Sequence, residues 1–185
     1  MPRVGLDTEA VVAAAAQLAD AEGLPRLTLA RLAVVLGIRT PSLYAHVDGV
    51  ADLRARLGAR GARELGAQLQ QAAAGRSGAD ALRAVADAYR AYAHAHPGSY
   101  AAVQVASDRE EYQAAGTAVV GVILAVLDAY ALNGDAAVHA VRAIRSALHG
   151  FVVLEREGGF GIPLSLDESF GTLVEMIDAG LSRRA

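Results

Sequence analysis

The chain has 185 residues, 54% of them apolar, no cysteine and a formal net charge of −3. That is enough apolar material for one good core or two small ones joined by a shared helix, which excludes a disordered chain, while the absence of cysteine excludes a disulfide framework and a thiolate metal site. All 17 basic residues are arginine, a bias that reads as coding composition. No basic-then-apolar leader opens the sequence, so a cytoplasmic location is expected. The longest wholly apolar run, Ala118 to Leu127, is shorter than the roughly 20 residues of a spanning helix, so no membrane partner is expected.

Asp7 is placed to cap a first helix that carries Val11, Val12, Ala15, Leu18 and Ala19 on one face and ends near Gly23. Thr28 caps a short second helix with Leu29, Leu32, Ala33 and Leu36 at helical spacing, closed by Gly37. Thr40 then reads as a further cap with Pro41 at the first helical position, and Leu43 and Val47 face inward. Arg39, Thr40, Ser42, Tyr44 and His46 are left facing outward. Hydroxyls, a phenol, an imidazole and a guanidinium on one short helix suit hydrogen bonding to phosphates and base edges, as in a helix-turn-helix. On spacing alone an ordinary helical hairpin fits equally well. Val11, Leu18, Leu32, Leu36, Leu43 and Val47 must carry the small core of this region, because its many alanines bury little area each. Local charge agrees with a nucleic-acid partner: residues 23–47 contain Arg26, Arg31 and Arg39 and no acid, whereas beyond Leu57 eleven arginines face fourteen acids.

Asp48 is expected to cap a long helix over residues 50–74. Arg54 and Arg56 near its start are either phosphate contacts or part of a solvated face, and Gly58, Gly61 and Gly66 either allow close packing or soften a connector. A loop over residues 74–79 precedes a helix with Leu82, Val85, Ala86, Tyr89, Tyr92 and Ala93 on one stripe, ended by His94, His96 and Pro97. The His-x-His pair does not share a helix face and has no nearby Cys or acid in sequence, so no metal site is expected. Gly98 to Val105 reads as a short helix with Tyr100 and Val103 inward. Ser107 and Glu110 form a capping-box pattern that opens a helix from Asp108 to Ala131, whose all-apolar middle predicts burial on every face. After Asn133 and Gly134, a helix from Ala136 to Glu157 carries Val138, Val141, Ile144, Leu148, Phe151 and Val152 on one face. Gly158, Gly159, Gly161 and Pro163 make a loop around Phe160. Ser165 and Glu168 then open the last helix, with Phe170, Leu173, Val174, Ile177 and Leu181 in one stripe and Ser182, Arg183 and Arg184 at its end. The last two helices offer more apolar surface than one subunit easily covers. A twofold four-helix interface through Val141, Ile144, Leu148, Val152, Phe170, Leu173, Val174, Ile177 and Leu181 would bury it. The reading is an all-α chain of about nine helices: residues 1–49 a helix-turn-helix domain and residues 50–185 a helical ligand-binding and dimerisation domain, joined by the helix over 50–74.

From Leu27 to Leu57, with Gly37, Leu43, Tyr44 and His46 at their spacing, the segment closely resembles the DNA-binding domain of the tetracycline-repressor (TetR) family. One position departs from the family pattern, Val50, where a Lys is usual. The second half, with His96-Pro97 before Tyr100, ALHGFVVLE at 147–155 and GGFGIP before the last helix, resembles one class of TetR-type regulatory domain bearing a His-Gly pair on its penultimate helix. The resemblance implies a homodimeric, ligand-responsive regulator, in most cases a repressor, that grips a near-palindromic double-stranded operator and is released by a small-molecule effector. For the DNA-binding set, Thr28, Arg39, Thr40, Pro41, Ser42, Tyr44 and His46, it implies that Tyr44 and His46 hold phosphates, while Arg39, Thr40 and Ser42 are placed to read bases. Tyr89, Tyr92, Tyr100, Val103, Tyr112 and Phe151 are the candidate effector contacts, with few charges among them, which favours a mostly apolar ligand. The metal coordination of tetracycline repressors is not expected, and no other cofactor is called for. His149 reads as a buried structural histidine, with ligand contact as the alternative, and Gly150 as a site of close helix crossing in the dimer. No nucleophile with a base and no paired carboxylates stand out, so an enzyme is not expected. The alternative function is a protein-interaction module that uses the helix-turn-helix as scaffold.

Overall fold

Asp7 accepts the Ala10 N–H at 2.7 Å and opens α1 (Thr8–Glu22). The computed structural model describes residues 6–105 and 107–183; Arg184, expected at the end of the last helix, lies outside them. Thr28 caps α2 (Leu29–Leu36) through the Arg31 N–H, and Gly37, with φ +65°, supplies the left-handed residue that stops it. The segment Thr40–Ala45 follows, then α3 (Val50–Ala73), α4 (Gly78–Ala95), α5 (Pro97–Val103), α6 (Glu110–Leu127), α7 (Gly134–Arg156) and α8 (Leu166–Ser182). Among the described residues there is no strand, and these eight α-helices with the Thr40–Ala45 turn of 3-10 helix make nine.

The chain divides into two compact units, Met1–Glu64 with Ala95–Gly116, and Leu65–His94 with Thr117–Ala185. We call them head and body. Beside residues 1–49, most of α3, all of α5 and the first turns of α6 pack as part of the head. Its core joins Val11, Leu18, Leu32, Leu43 and Val47 to Leu27, Leu53, Leu57 and Ala102, while Leu36 is only partly buried.

Two contacts fix α5 in the head. Gly98 lies so close to α1 that an added Cβ would meet the Ala19 carbonyl at 2.1 Å. Beside it, Asp20 accepts the Ser99 N–H at 2.7 Å and its hydroxyl at 3.3 Å, and His96 Nδ1 lies 3.3 Å from the same carboxylate. A donor-rich helix end is thereby capped from a different helix, since His96 at the cap position makes no cap bond with its own side chain. Gly58 of α3 serves a similar approach, its missing Cβ lying 2.8 Å from the Ala102 carbonyl oxygen, and at Gly66 the nearest neighbour, Val119, is at an ordinary 3.4 Å. Close packing thus accounts for Gly58.

In the body, Leu82, Val85, Ala86, Tyr89, Tyr92 and Ala93 of α4 are buried as their spacing predicts. Arg90 bonds Glu155 near the end of α7 and Asp167 at the start of α8, and its guanidinium lies 4.9 Å from the Phe170 ring centroid. Phe151 meets Phe160 at 4.9 Å and Phe170 at 5.1 Å, which seats the 158–165 loop on the helices it joins. Ser165 caps α8 as expected, accepting the Glu168 N–H at 3.2 Å.

Several local expectations are corrected. Gly49, not Asp48, precedes α3, its carbonyl accepting the Leu53 N–H, and the Asp48 N–H donates to Asp52. Ser107 accepts the Arg109 N–H instead of a Glu110 one, α6 begins at Glu110, and it ends at Leu127 before a 3-10 turn to Tyr130. Its apolar middle is not covered on every face: Ile123, Val126 and Leu127 are buried, but Ala118, Val120, Gly121 and Ala125 are exposed. An all-apolar run has no polar side to reveal which face is outermost. Val138 also faces outward, because the inward stripe of α7 runs through Ala137, Ala140 and Val141 and leaves Val138 off that face. Taken as whole helices, residues 110–130 and 134–156 are long and apolar enough to cross a membrane, which the length of the uninterrupted run did not reveal. The second, however, carries Arg142 and Arg145 near its middle, where a bilayer disfavours charge.

Gly98→Ala is expected to destabilise the head by about 1 to 3 kcal/mol in denaturant unfolding, because its neighbour is rigid backbone. Gly116→Ala, with open space around it, should be neutral or stabilising. Glu155 is held below the ordinary glutamate value of 4.5, first by hydrogen bonds from Arg90, with His94 adding to the effect against the opposing influence of burial. A depressed carboxyl stabilises the fold above its unfolded value and loses that contribution as pH falls through the folded one. The stability gap between wild type and Glu155→Gln should therefore be steady above the ordinary glutamate value and close as pH falls below it. A gap that persisted in acid would mean that Glu155 carries no native charge.

Candidate nucleic-acid interface

The surface that could meet DNA is built on two buried anchors. Leu43 is 0% exposed and Val47 2%, so the short element between α2 and α3 is pinned from beneath. It departs from expectation in form: residues Thr40–Ala45 are 3-10 helix, and Arg39 holds the cap position with no side-chain cap bond, so Thr40 is not the cap. Pro41 is in the first turn, as its missing N–H allows. The local bonds are three residues apart, Ser42 N–H to Arg39 C=O and His46 N–H to Leu43 C=O, each 2.9 Å.

This geometry leaves Arg39, Pro41, Ser42 and Tyr44 exposed, with Tyr44 at 60%. Thr28 is exposed at the start of α2, while Thr40 and His46 are half-buried at the margins. All seven candidate DNA contacts thus belong to the α2 entrance and the following turn. Val50, at the start of α3, is exposed where the family pattern has a cation.

Electrostatically the head is less basic than a count over residues 23–47 implies. Arg31 makes a two-pronged ion pair with Glu22, one residue outside that window and on another helix. Hydrogen bonding to Arg31 holds the Glu22 carboxyl below its ordinary value. Arg54 is not a phosphate contact in this arrangement: its guanidinium donates to the Leu24 and Leu27 carbonyls at 3.3 and 3.2 Å, closing the turn between α1 and α2. Arg56 is paired with Asp52 at 2.9 Å. Asp52 and Glu22 were not singled out by the sequence, and Arg54 was read there without its carbonyl partners; of these contacts, only the four-residue spacing of Asp52 and Arg56 is visible there.

The candidate effector contacts fall in different units. Tyr89, Tyr92 and Phe151 are buried in the body, whereas Tyr100, Val103 and Tyr112 belong to the head, where the Tyr112 hydroxyl donates to the Val103 carbonyl at 2.7 Å. Val103 is half-buried rather than fully inward. His149 is half-buried, and burial, with the Arg145 charge, lowers its pKa, which favours the neutral ring. Beyond its own stretch of helix backbone, no described atom lies within 4 Å of a Cβ added at Gly150. Among the described residues no cluster of His, Cys, Asp or Glu could hold a metal ion.

Most of the expected dimer contacts are core residues of a single chain. Val141, Ile144, Leu148, Val152, Phe170, Val174 and Leu181 are all buried without a partner, and Leu173 and Ile177 half-buried. The stripe read from the sequence is the inward one. Beside it runs a cleft of about 350 Å³ between α7 and α8, lined by His139, Ala140, Ala143, Ile144, Ala147, Met176, Ile177, Gly180 and Leu181, with Met176 68% exposed.

Comparison with known proteins places this geometry. Residues 82–177 match the family described as "Tetracyclin repressor-like, C-terminal domain". The uncharacterised helix-turn-helix transcriptional regulator Rv0681 of Mycobacterium tuberculosis (strain ATCC 25618 / H37Rv) is 40% identical over 182 residues, spanning 97% of this chain and 83% of that protein. The uncharacterised regulator YobS of Bacillus subtilis (strain 168) is 34% identical over 182 residues, 97% of this chain and 95% of that one. In fold, the chain superposes on a TetR variant from Acinetobacter baumannii AYE, solved in complex with minocycline, with a TM-score of 0.75 at 22% identity, covering 96% and 97% of the two chains. With its C-terminal half matched by that family and nearly its whole length by two such regulators, the chain belongs to the tetracycline-repressor (TetR) family, and is a transcriptional regulator and not an enzyme.

Proposed function

We propose that the protein is a ligand-released repressor that acts as a homodimer on a near-palindromic operator. The observation that carries the reading is the exposed set Thr28, Arg39, Pro41, Ser42 and Tyr44, flanked by Thr40 and His46, on an element pinned by Leu43 and Val47. Tyr44 and His46 hold phosphates and set register. Arg39, Thr40 and Ser42 read base edges in the major groove, where short polar side chains on a fixed scaffold can discriminate. Two such elements meet successive grooves about 34 to 36 Å apart.

With Arg31 tied to Glu22 and no Lys at position 50, one head offers few cations to phosphate. Useful affinity then requires two heads on one duplex, since phosphate neutralisation dominates non-specific binding. The dimer surface we assign is the α7–α8 cleft, in which Ala143, Ala147 and Gly180 let helices of two chains approach, with Met176 as the large exposed apolar group. Ile144, Ile177 and Leu181 reach this cleft from the core, and Leu173 lies at its margin; Val141, Leu148, Val152, Phe170 and Val174 support it from within. The effector is a mostly apolar small molecule taken up by the body beside Tyr89, Tyr92 and Phe151. A coupling of about 1 to 3 kcal/mol between effector and operator suffices to change affinity 5- to 150-fold. The minocycline complex of the Acinetobacter baumannii protein supports an aromatic or polycyclic ligand class.

Selection of bound sequences from a random duplex pool, followed by a ligand screen for release, tests the whole reading. Against a selected operator, Tyr44→Phe should weaken all sequences alike, by about 1 kcal/mol for one lost phosphate hydrogen bond, whereas Ser42→Ala should change which base is preferred. Equal uniform losses from both would refute the division of roles. Ala143→Glu, which places a charge in the small-residue cleft without touching the core, should give a folded monomer in sedimentation and lose operator binding. A dimer that survives this change would put the interface elsewhere.

A further inference from the structure

Asp52 gathers three donors around one carboxylate in the head. Its carboxylate, 8% exposed, accepts the Asp48 N–H at 3.0 Å, the Arg56 Nε at 2.9 Å and the Arg109 guanidinium. The three donors come from three places: the turn that follows the recognition element, α3 itself, and the residue immediately before α6. We propose that Asp52 is a positioning residue for operator recognition, and that Arg109 is the partner that holds it in position.

The turn at 48–49 explains why positioning is needed. Val47 is anchored in the core, but Gly49 has φ +114°, a conformation few residues stabilise, and no side chain of its own to fix it. The Asp48 N–H bond to Asp52 is the side-chain link between this turn and the first turn of α3, beside the Leu53 N–H bond to the Gly49 carbonyl. Losing it leaves the turn held by that backbone bond alone and loosens the C-terminal end of the recognition element, with half-buried His46, against α3.

Arg109 supplies the constraint from outside. Its backbone is fixed where it stands: its N–H donates to the Ser107 hydroxyl at 3.3 Å, and the Gln113 side chain donates to the Ser107 carbonyl at 2.6 Å. A carboxylate with Arg56 alone can rotate toward α3 and abandon the Asp48 N–H, whereas cations on two sides hold it between them. Burial pushes the Asp52 carboxyl up, but bonds from Arg56 and Asp48 and the charges of Arg56 and Arg109 outweigh this and keep it below its ordinary value. The Arg109 contact is also one that can open. A cleft of about 860 Å³ lined by Asp48, Asp52, Asp108 and Arg109 runs alongside it, so the guanidinium can swing out without disturbing packed side chains.

The proposal rests on the DNA-binding reading, and its test separates the two. Amide hydrogen exchange at Asp48 is measured on the full-length free protein, wild type and Arg109→Gln, together with the unfolding midpoint and the affinity for a duplex selected by wild type. The expected result is Asp48 exchange about 10-fold faster and operator affinity about 5- to 10-fold weaker, with an unchanged midpoint because Asp52 keeps Arg56. Arg109→Lys should restore much of both. Unchanged Asp48 exchange overturns the proposal, as does faster exchange with full affinity. If wild type selects no duplex, the DNA-binding reading fails, and with it the recognition role, whatever the exchange shows about the turn.

Discussion

The head depends on one close approach, that of Gly98 to the backbone around Ala19. No side chain fits there, so α5 can press its N-terminus directly against α1, where Asp20 supplies the acceptors its first turn needs. From that contact follow the placement of Ala102 in the core and the approach of Gly58 to its carbonyl. The next segment, 107–113, is then carried to α3, where Arg109 reaches Asp52. A stretch remote in sequence from the helix-turn-helix is in this way part of the same packed unit.

Charge in the head is organised by pairing more than by accumulation. Arg31 is answered by Glu22, Arg56 by Asp52 and Arg60 by Glu64, while Arg54 serves backbone carbonyls. The exposed pairs among them, Arg31–Glu22 and Arg60–Glu64, contribute little to stability. Their larger effect is on the field presented to a polyanion, which is left to Arg26, Arg39 and the hydrogen-bonding groups around Ser42 and Tyr44. On the dimeric reading proposed above, such a regulator leans on geometry and on two simultaneous contacts rather than on general attraction to phosphate.

Much of the fold was legible because its signals are local. Asp7, Thr28 and Ser165 cap where their spacing says they should, and Gly37 ends α2 with a positive φ. The stripe from Leu82 to Ala93 is buried as written. Tyr44 and Ser42 are exposed above Leu43 and Val47, so the candidate site was largely readable from periodicity and caps. What stayed hidden depends on partners distant in sequence. Glu22 and Arg31 are 9 residues apart, Asp52 and Arg109 57 apart, and Asp20 and Ser99 79 apart. Apolar periodicity identified a buried face on α7 and α8 but not what covers it, and most of the residues named for a dimer are buried within the chain itself. The run from Ala118 to Leu127 failed for the converse reason, since uniformly apolar sequence carries no phase.

The α7–α8 cleft has a shape defined by what is missing from it. Ala140, Ala143, Ala147 and Gly180 form its floor by offering almost no side chain. A concave apolar surface of that kind accepts a neighbour that fills it with close-packed apolar side chains and disfavours one that carries a charge there, through the cost of desolvation. As the dimer surface proposed above, such a cleft would help to keep each regulator paired with its own copies where several chains of this fold are made together.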